Sequence, residues 1–138
     1  MYLFDTDVLS YLAEKRRPEG LTKQLAAAPV AAQFTSAINA AEIYHGLFSL
    51  QAEDGAGARL LEFFEGQIFP RLTILPFERA DARTYGRIRA TLERQGRTRF
   101  EADLQIAAIA LTHRLILVTG NVRHFEGIPG VKVENWLA

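Results

Sequence analysis

Three acidic residues, Asp5, Glu42 and Asp103, stand where a carboxylate could do chemistry. Asp5 ends the short, apolar, β-prone run Tyr2-Leu3-Phe4. Glu42 shares a helical face with Ile38, His45 and Ser49, away from the apolar stripe of Ile43, Leu47 and Leu50. Asp103 opens a small apolar face continued by Ile106, Ala107 and Ala110, at spacings of three, four and seven. Each has an ordinary explanation alone. Asp5 would serve as a turn or cap residue, and Asp103 would favour the positive end of a helix dipole by ~0.3 to 1 kcal/mol. Brought together, however, three acids repel unless a cation or protons neutralise them, and no Lys is placed nearby in sequence to do so. Carboxylate oxygens suit Mg²⁺ or Mn²⁺. Such an ion polarises a phosphoryl oxygen and lowers the pKa of a bound water.

Other chemistries find no support. There is no Cys, which excludes disulfides, thiolate catalysis and zinc sites built on Cys. His45, His113 and His124 are scattered and match no zinc spacing. Neither a nucleophilic Ser motif, a P-loop nor a dinucleotide fingerprint occurs. With 138 residues, 49% of them apolar, the chain is long enough for a core of its own, and it is expected to form one domain over residues 1–138. No run approaches the ~18 to 20 apolar residues of a membrane span, and Asp5 and Asp7 interrupt any leader-like start. The composition predicts a soluble, cytoplasmic protein.

The elements that must position the acids alternate. Strands are expected at 2–4, 33–36, 72–75, 115–118 and 131–133, with 115–118 buried and central. Helices are expected from Val8, with Thr6 or Asp7 as cap, over 21–28, over 37–51 with Ser36 as cap, over 59–68 and 78–95, and from Leu104 to His113. Glu53-Asp54-Gly55 should break the third helix. This alternation predicts an α/β fold with a mainly parallel sheet of four to five strands, flanked by helices on both faces. Ligands bind such sheets beyond the carboxyl ends of the strands, which is where Asp5, Glu42 and Asp103 would converge.

The net charge is zero, yet thirteen of the sixteen basic residues are Arg, and six lie between Arg83 and Arg99. That balance argues against nonspecific coating of nucleic acid and permits one local phosphate-binding surface. A solvated helix face explains the block equally well. Arg97 and Arg99, in the loop before Asp103, are the candidates for contact with substrate phosphate, and Thr6, beside Asp5, is a further candidate.

The chain resembles PIN-domain ribonucleases, most closely the VapC-type toxins of VapBC toxin–antitoxin pairs. Leu3-Phe-Asp5-Thr-Asp-Val-Leu-Ser10 is similar to the family's opening, Ala40-Ala-Glu42-Ile-Tyr-His-Gly46 to its Glu-bearing helix, and Ala102-Asp103-Leu-Gln-Ile-Ala-Ala108 to its second Asp helix. Leu117-Val-Thr-Gly-Asn-Val-Arg-His-Phe125 and Val133-Glu-Asn-Trp136 resemble its closing segments. The resemblance implies a PIN fold and a Mg²⁺- or Mn²⁺-dependent endoribonuclease with Asp5, Glu42 and Asp103 as catalytic acids. Asp5 and Asp103 would be the principal metal ligands, Glu42 binding through water. It implies RNA as substrate, a small VapB-like antitoxin as partner, and a homodimer, for which Phe63, Phe64, Ile68 and Phe69 offer a candidate contact.

There are departures. Asp7 stands where the family more often has Asn, and Asn121 where many members carry a fourth acid; Asn121 could ligate only through its carbonyl oxygen. Three readings compete: a degenerate PIN module that binds its partner without catalysis, a haloacid-dehalogenase-like phosphatase suggested by Phe4-Asp5-Thr-Asp7, and a receiver domain. The phosphatase lacks its late acidic motif and its Lys, and the receiver domain lacks its Lys.

Overall fold

The computed structural model describes residues 1–50 and 55–138; the expected helix end at Gln51 and the break at Glu53-Asp54 lie outside the described residues. Five strands, β1 (Tyr2–Phe4), β2 (Gln33–Ser36), β3 (Thr73–Leu75), β4 (Ile116–Val118) and β5 (Val133–Glu134), pair in the order β3-β2-β1-β4-β5, and every pairing is parallel. Thus β1 takes the middle of the sheet, and the strand expected to be central, β4, lies beside it. Helical crossovers make this possible: α1 (Thr6–Leu12) and α2 (Glu19–Ala27) link β1 to β2, α3 (Ala37–Ser49) and α4 (Ala56–Phe63) link β2 to β3, and α5 (Arg79–Arg94) and α6 (Glu101–Thr112) link β3 to β4.

Alternation along the strands sorts side chains to two cores. Leu3 and Leu117 face Ile88, Leu92 and the buried run Ile106–Ala110 of α5 and α6. Phe4 and Val118 face Val8, Leu9, Ile43, Leu47 and Trp136 on the opposite side. Helix α6 is buried from Ile106 to Ala110, not along one stripe, because α5 covers the side turned away from the sheet.

Several local expectations are refined. Asp5 itself caps α1, its Oδ1 accepting from the Thr6 amide at 2.9 Å, so neither Thr6 nor Asp7 is the cap. Ser36 caps α3 as expected, accepting from the Asn39 amide at 3.1 Å. The expected 59–68 helix starts earlier, at Ala56, and passes at Phe64 into a π-helical turn over Phe64–Ile68. That turn rotates Phe64, Ile68 and the following Phe69 into the chain's own core and leaves only Phe63 exposed. The candidate dimer contact is therefore mostly internal packing.

Candidate active site

The sheet order reverses beside β1: its crossover leads to β2 on one side, while β4 lies on the other. The crevice at such a switch point, beyond the strand ends, is a binding place by construction. Asp5 follows β1 and Thr119-Gly120-Asn121 follows β4, and the Asp5 amide donates to the Val118 carbonyl at 3.0 Å. Helices α3 and α6 bring Glu42 and Asp103 to the same end, and Asp5, Asp7, Glu42, Asp103, Asn121 and His124 line one pocket of about 340 Å³.

Asp5 is buried and held at both oxygens. Besides the Thr6 amide, its Oδ1 accepts from Asn39 Nδ2 at 3.0 Å, and its Oδ2 accepts from the Thr119 hydroxyl at 2.7 Å. Asn39 is wholly buried, and the same Nδ2 donates to Thr6 Oγ1 at 3.1 Å. The Thr6 hydroxyl in turn donates to Glu42 Oε1 at 2.8 Å. A single amide side chain from α3 thus fixes the carboxylate of β1 and, through Thr6, the otherwise exposed Glu42. Thr6, expected as a substrate contact, is engaged in holding the acids.

Asp7 makes the cluster four acids, not three. Its Oδ1 accepts from the Val8 amide and its Oδ2 from the Gly120 amide, both at 2.8 Å, pinning the loop after β4 to the start of α1. Burial, with the Asp5 charge second, raises its pKa, and the amides of Gly120 and Val8 oppose the rise.

Asp103 is the least comfortable of the four. Its side chain is only 13% exposed, and burial, helped by the charges of Asp5 and Glu42, pushes its pKa up to about 6 against the opposing pull of His124. His124 Nδ1 comes within 3.1 Å of Asp103 Oδ2, an ion-pair contact when the imidazole is protonated, and Oδ2 is otherwise buried without a hydrogen-bond partner. Asn121 donates its backbone amide to Thr119 Oγ1 at 3.0 Å, while its side chain caps nothing in the following turn.

A family model described as the PIN domain matches residues 2–130. The chain belongs to the PIN-domain family. Ribonuclease VapC2 of Haemophilus influenzae is 33% identical over 136 residues, spanning 99% of this chain and 98% of the relative. The tRNA(fMet)-specific endonuclease VapC of Shigella flexneri is 36% identical over 101 residues, 73% of each chain. In DNA-bound VapBC from Salmonella typhimurium, one chain superposes with a TM-score of 0.85 at 30% identity, over 98% of this chain and 97% of that one. Within the PIN family the chain is therefore of the VapC type.

Seen in this PIN domain, Asp5, Glu42, Asp103 and Asn121 share the pocket, as expected from sequence. Arg97 and Arg99 do not line it. The Arg97 guanidinium lies against Gly127, which keeps φ at +78°, and Arg99 donates to the carbonyls of Thr98 and Glu126. Both stitch the loop before α6 to the turn after Phe125. Sequence reading missed Asn39, Thr119 and His124. Asn39 carried a usable signal, an amide one turn before Glu42 and three residues after a Ser cap; the others depend on chain crossing.

Proposed function

We infer that this chain is a divalent-metal-dependent endoribonuclease, the toxin of a VapBC-type pair. The observation that carries the reading is the pocket of four carboxylates in which Asp103 Oδ2 is buried without a hydrogen-bond partner. A desolvated carboxylate oxygen beside other acids, with a single imidazole against it, has the chemistry of a cation site. Among the described residues no three His, Asp or Glu side chains form a ready-made cage for an ion. Mg²⁺ does not require one, because it keeps several waters and binds proteins through one or two carboxylates. Asp5 and Asp103 would hold it directly or through water, with Glu42 and Asn121 reached through water.

When bound, such an ion would supply charge against the phosphoryl oxygens and lower the pKa of a water so that, on losing a proton, it can attack phosphorus. The rest falls to the chain. Asn39 and Thr119 keep Asp5 in one rotamer, Thr6 holds Glu42 towards the pocket, and His124 stands against Asp103. Hydrolysis would leave a 5′-phosphate and a 3′-hydroxyl. A tRNA, the substrate class named for the Shigella flexneri relative, is the first to try.

The partner reading draws on the VapBC complexes among the structural relatives. An apolar groove of about 380 Å³ between α1, α3 and α4, lined by Ile43, Leu47, Leu50 and Leu60, has Thr6 and Glu42 at its rim. An antitoxin segment seated there would reach the acids. Among the described residues no helix is long and apolar enough to cross a membrane.

The deciding experiment is cleavage of total tRNA by the purified chain with Mg²⁺ or Mn²⁺, with EDTA, and with Asp103→Asn. Metal-dependent cleavage that disappears in Asp103→Asn is expected. RNA left intact by the wild type, with antitoxin still bound, would favour the non-catalytic module instead.

A further inference from the structure

One wall of the acid pocket is aromatic. Phe100 is 71% exposed, more than any other large apolar side chain of the described residues. It occupies the N-cap of α6 without making a cap hydrogen bond, at a position where Ser, Thr, Asp or Asn stabilises a helix. Neither burial nor capping accounts for a phenyl ring there. Its centroid lies 5.7 Å from that of the His124 imidazole, the planes inclined by 56°. These two rings line both the acid pocket and an adjoining recess of about 350 Å³, whose other walls are Thr98, Arg99 and Arg123. The Arg99 guanidinium is spent on backbone carbonyls. That of Arg123 has no hydrogen bond or ion pair among the described residues.

We propose that Phe100 and Arg123 form a nucleotide subsite beside the acids, where the base of an unpaired nucleotide stacks on Phe100 and a neighbouring phosphate pairs with Arg123. An open aromatic face next to a free cation is the combination that binds single-stranded nucleic acid, since every base has a π face and every linkage a charge. The guanidinium matches phosphate oxygens two at a time. It also gives the RNA backbone an attractive contact close to four carboxylates that repel it. Because the two cavities share a wall, a nucleotide in the recess lies next to the phosphate being cut, which selects unpaired loops and ends over duplex. The inference rests on the nuclease reading and adds the part of the RNA that is gripped.

The test measures binding of a fluorescein-labelled oligoadenylate, with Mg²⁺ present, in an Asp103→Asn background that prevents cutting. Phe100→Ser should weaken binding about 5- to 150-fold, the ~1 to 3 kcal/mol of one base stack, and Phe100→Trp should retain it. The Phe100→Ser protein should melt no lower than its parent, because Ser caps α6 better. Arg123→Gln should flatten the salt dependence of binding by about 0.7 in log–log slope. Binding indifferent to Phe100→Ser overturns the subsite, including the case in which the ring anchors a protein. Equal losses in Phe100→Ser and Phe100→Trp, or a salt slope unmoved by Arg123→Gln, also count against it. Should wild-type protein cut no tRNA and the parent bind no oligoadenylate, the nuclease reading falls and the subsite with it. Cutting by the wild type together with binding that ignores Phe100 removes the subsite alone.

Discussion

Asp103 shows how a single carboxylate reports on its surroundings. Its ordinary pKa of 3.8 rises to about 6 in the folded chain, chiefly through burial. The folded state therefore holds this proton more tightly than the unfolded state. Between those two values, raising the pH removes stability, and above about 6 the full penalty is in place. The metal-free wild type should accordingly lose thermal stability relative to Asp103→Asn as pH rises from 4 to 7, and a divalent ion should restore it at pH 7. Melting curves of both proteins at several pH values check this; a difference that stays flat with pH would falsify the assigned environment. Asn39 makes the complementary case. Replacing it with Ala leaves one oxygen of a buried carboxylate short of a donor and releases Thr6. The expected cost is ~1 to 3 kcal/mol, read by denaturant unfolding, together with a fall in kcat as Asp5 and Glu42 lose their shared anchor.

Elements matter here mainly through their ends. β1 and β4 contribute to the site by stopping, and the residues just past them, Asp5 and Thr119-Gly120-Asn121, face each other because the two strands pair in register, Phe4 with Val118. Gly120 is the tight point of that junction. A Cβ there would lie 2.8 Å from Leu137 Cδ1 and 2.9 Å from Asp7 Oδ2. Gly120→Ala should therefore displace the Asp7 carboxylate or the C-terminal segment, costing ~1 to 3 kcal/mol. Its effect on cleavage should exceed its effect on the melting temperature, since the displaced loop carries Asn121; comparison of both measurements with Asp7→Asn separates packing from charge.

At the scale of the whole molecule, the balance of charge within the pocket decides how many cations it can hold. Asn121 removes one charge relative to an acid at that position, and Asp7 contributes another that accepts two backbone amides. Two cations ~4 Å apart, as in two-metal sites, repel one another, so one well-held Mg²⁺ or Mn²⁺ is expected, with a second gained only on Asn121→Asp. Calorimetric titration of both proteins settles the point: identical stoichiometry and affinity would place Asn121 outside the site. The family resemblance further implies a two-fold dimer. Since Phe64, Ile68 and Phe69 are internal, Phe63→Ser should leave that dimer intact, and light scattering at micromolar concentration tests both statements. A wild-type monomer would remove the dimer.

What the sequence determined was periodic or punctuated. Runs such as Tyr2-Leu3-Phe4 and Leu115-Ile-Leu-Val118 must be buried strands, Ser36 before Ala37 must start a helix, and the strand–helix alternation requires a parallel sheet with its ligand edge at the strand ends. Hence Asp5, Glu42 and Asp103 could be placed together from local pattern alone. What only the tertiary structure decided depends on which distant segments cross. The contact of His124 with Asp103, the Thr119 hydroxyl on Asp5 and the Gly120 amide on Asp7 join residues far apart in the chain, and their types carry no periodic signal. The same holds for the Arg residues before Asp103. Their positive charge pointed to phosphate, but the approach of the Glu126-Gly127 turn offers Arg99 a carbonyl and gives Arg97 a glycine to lie against. Charge can be read along a chain; the direction in which a long side chain spends it is set by what packs beside it.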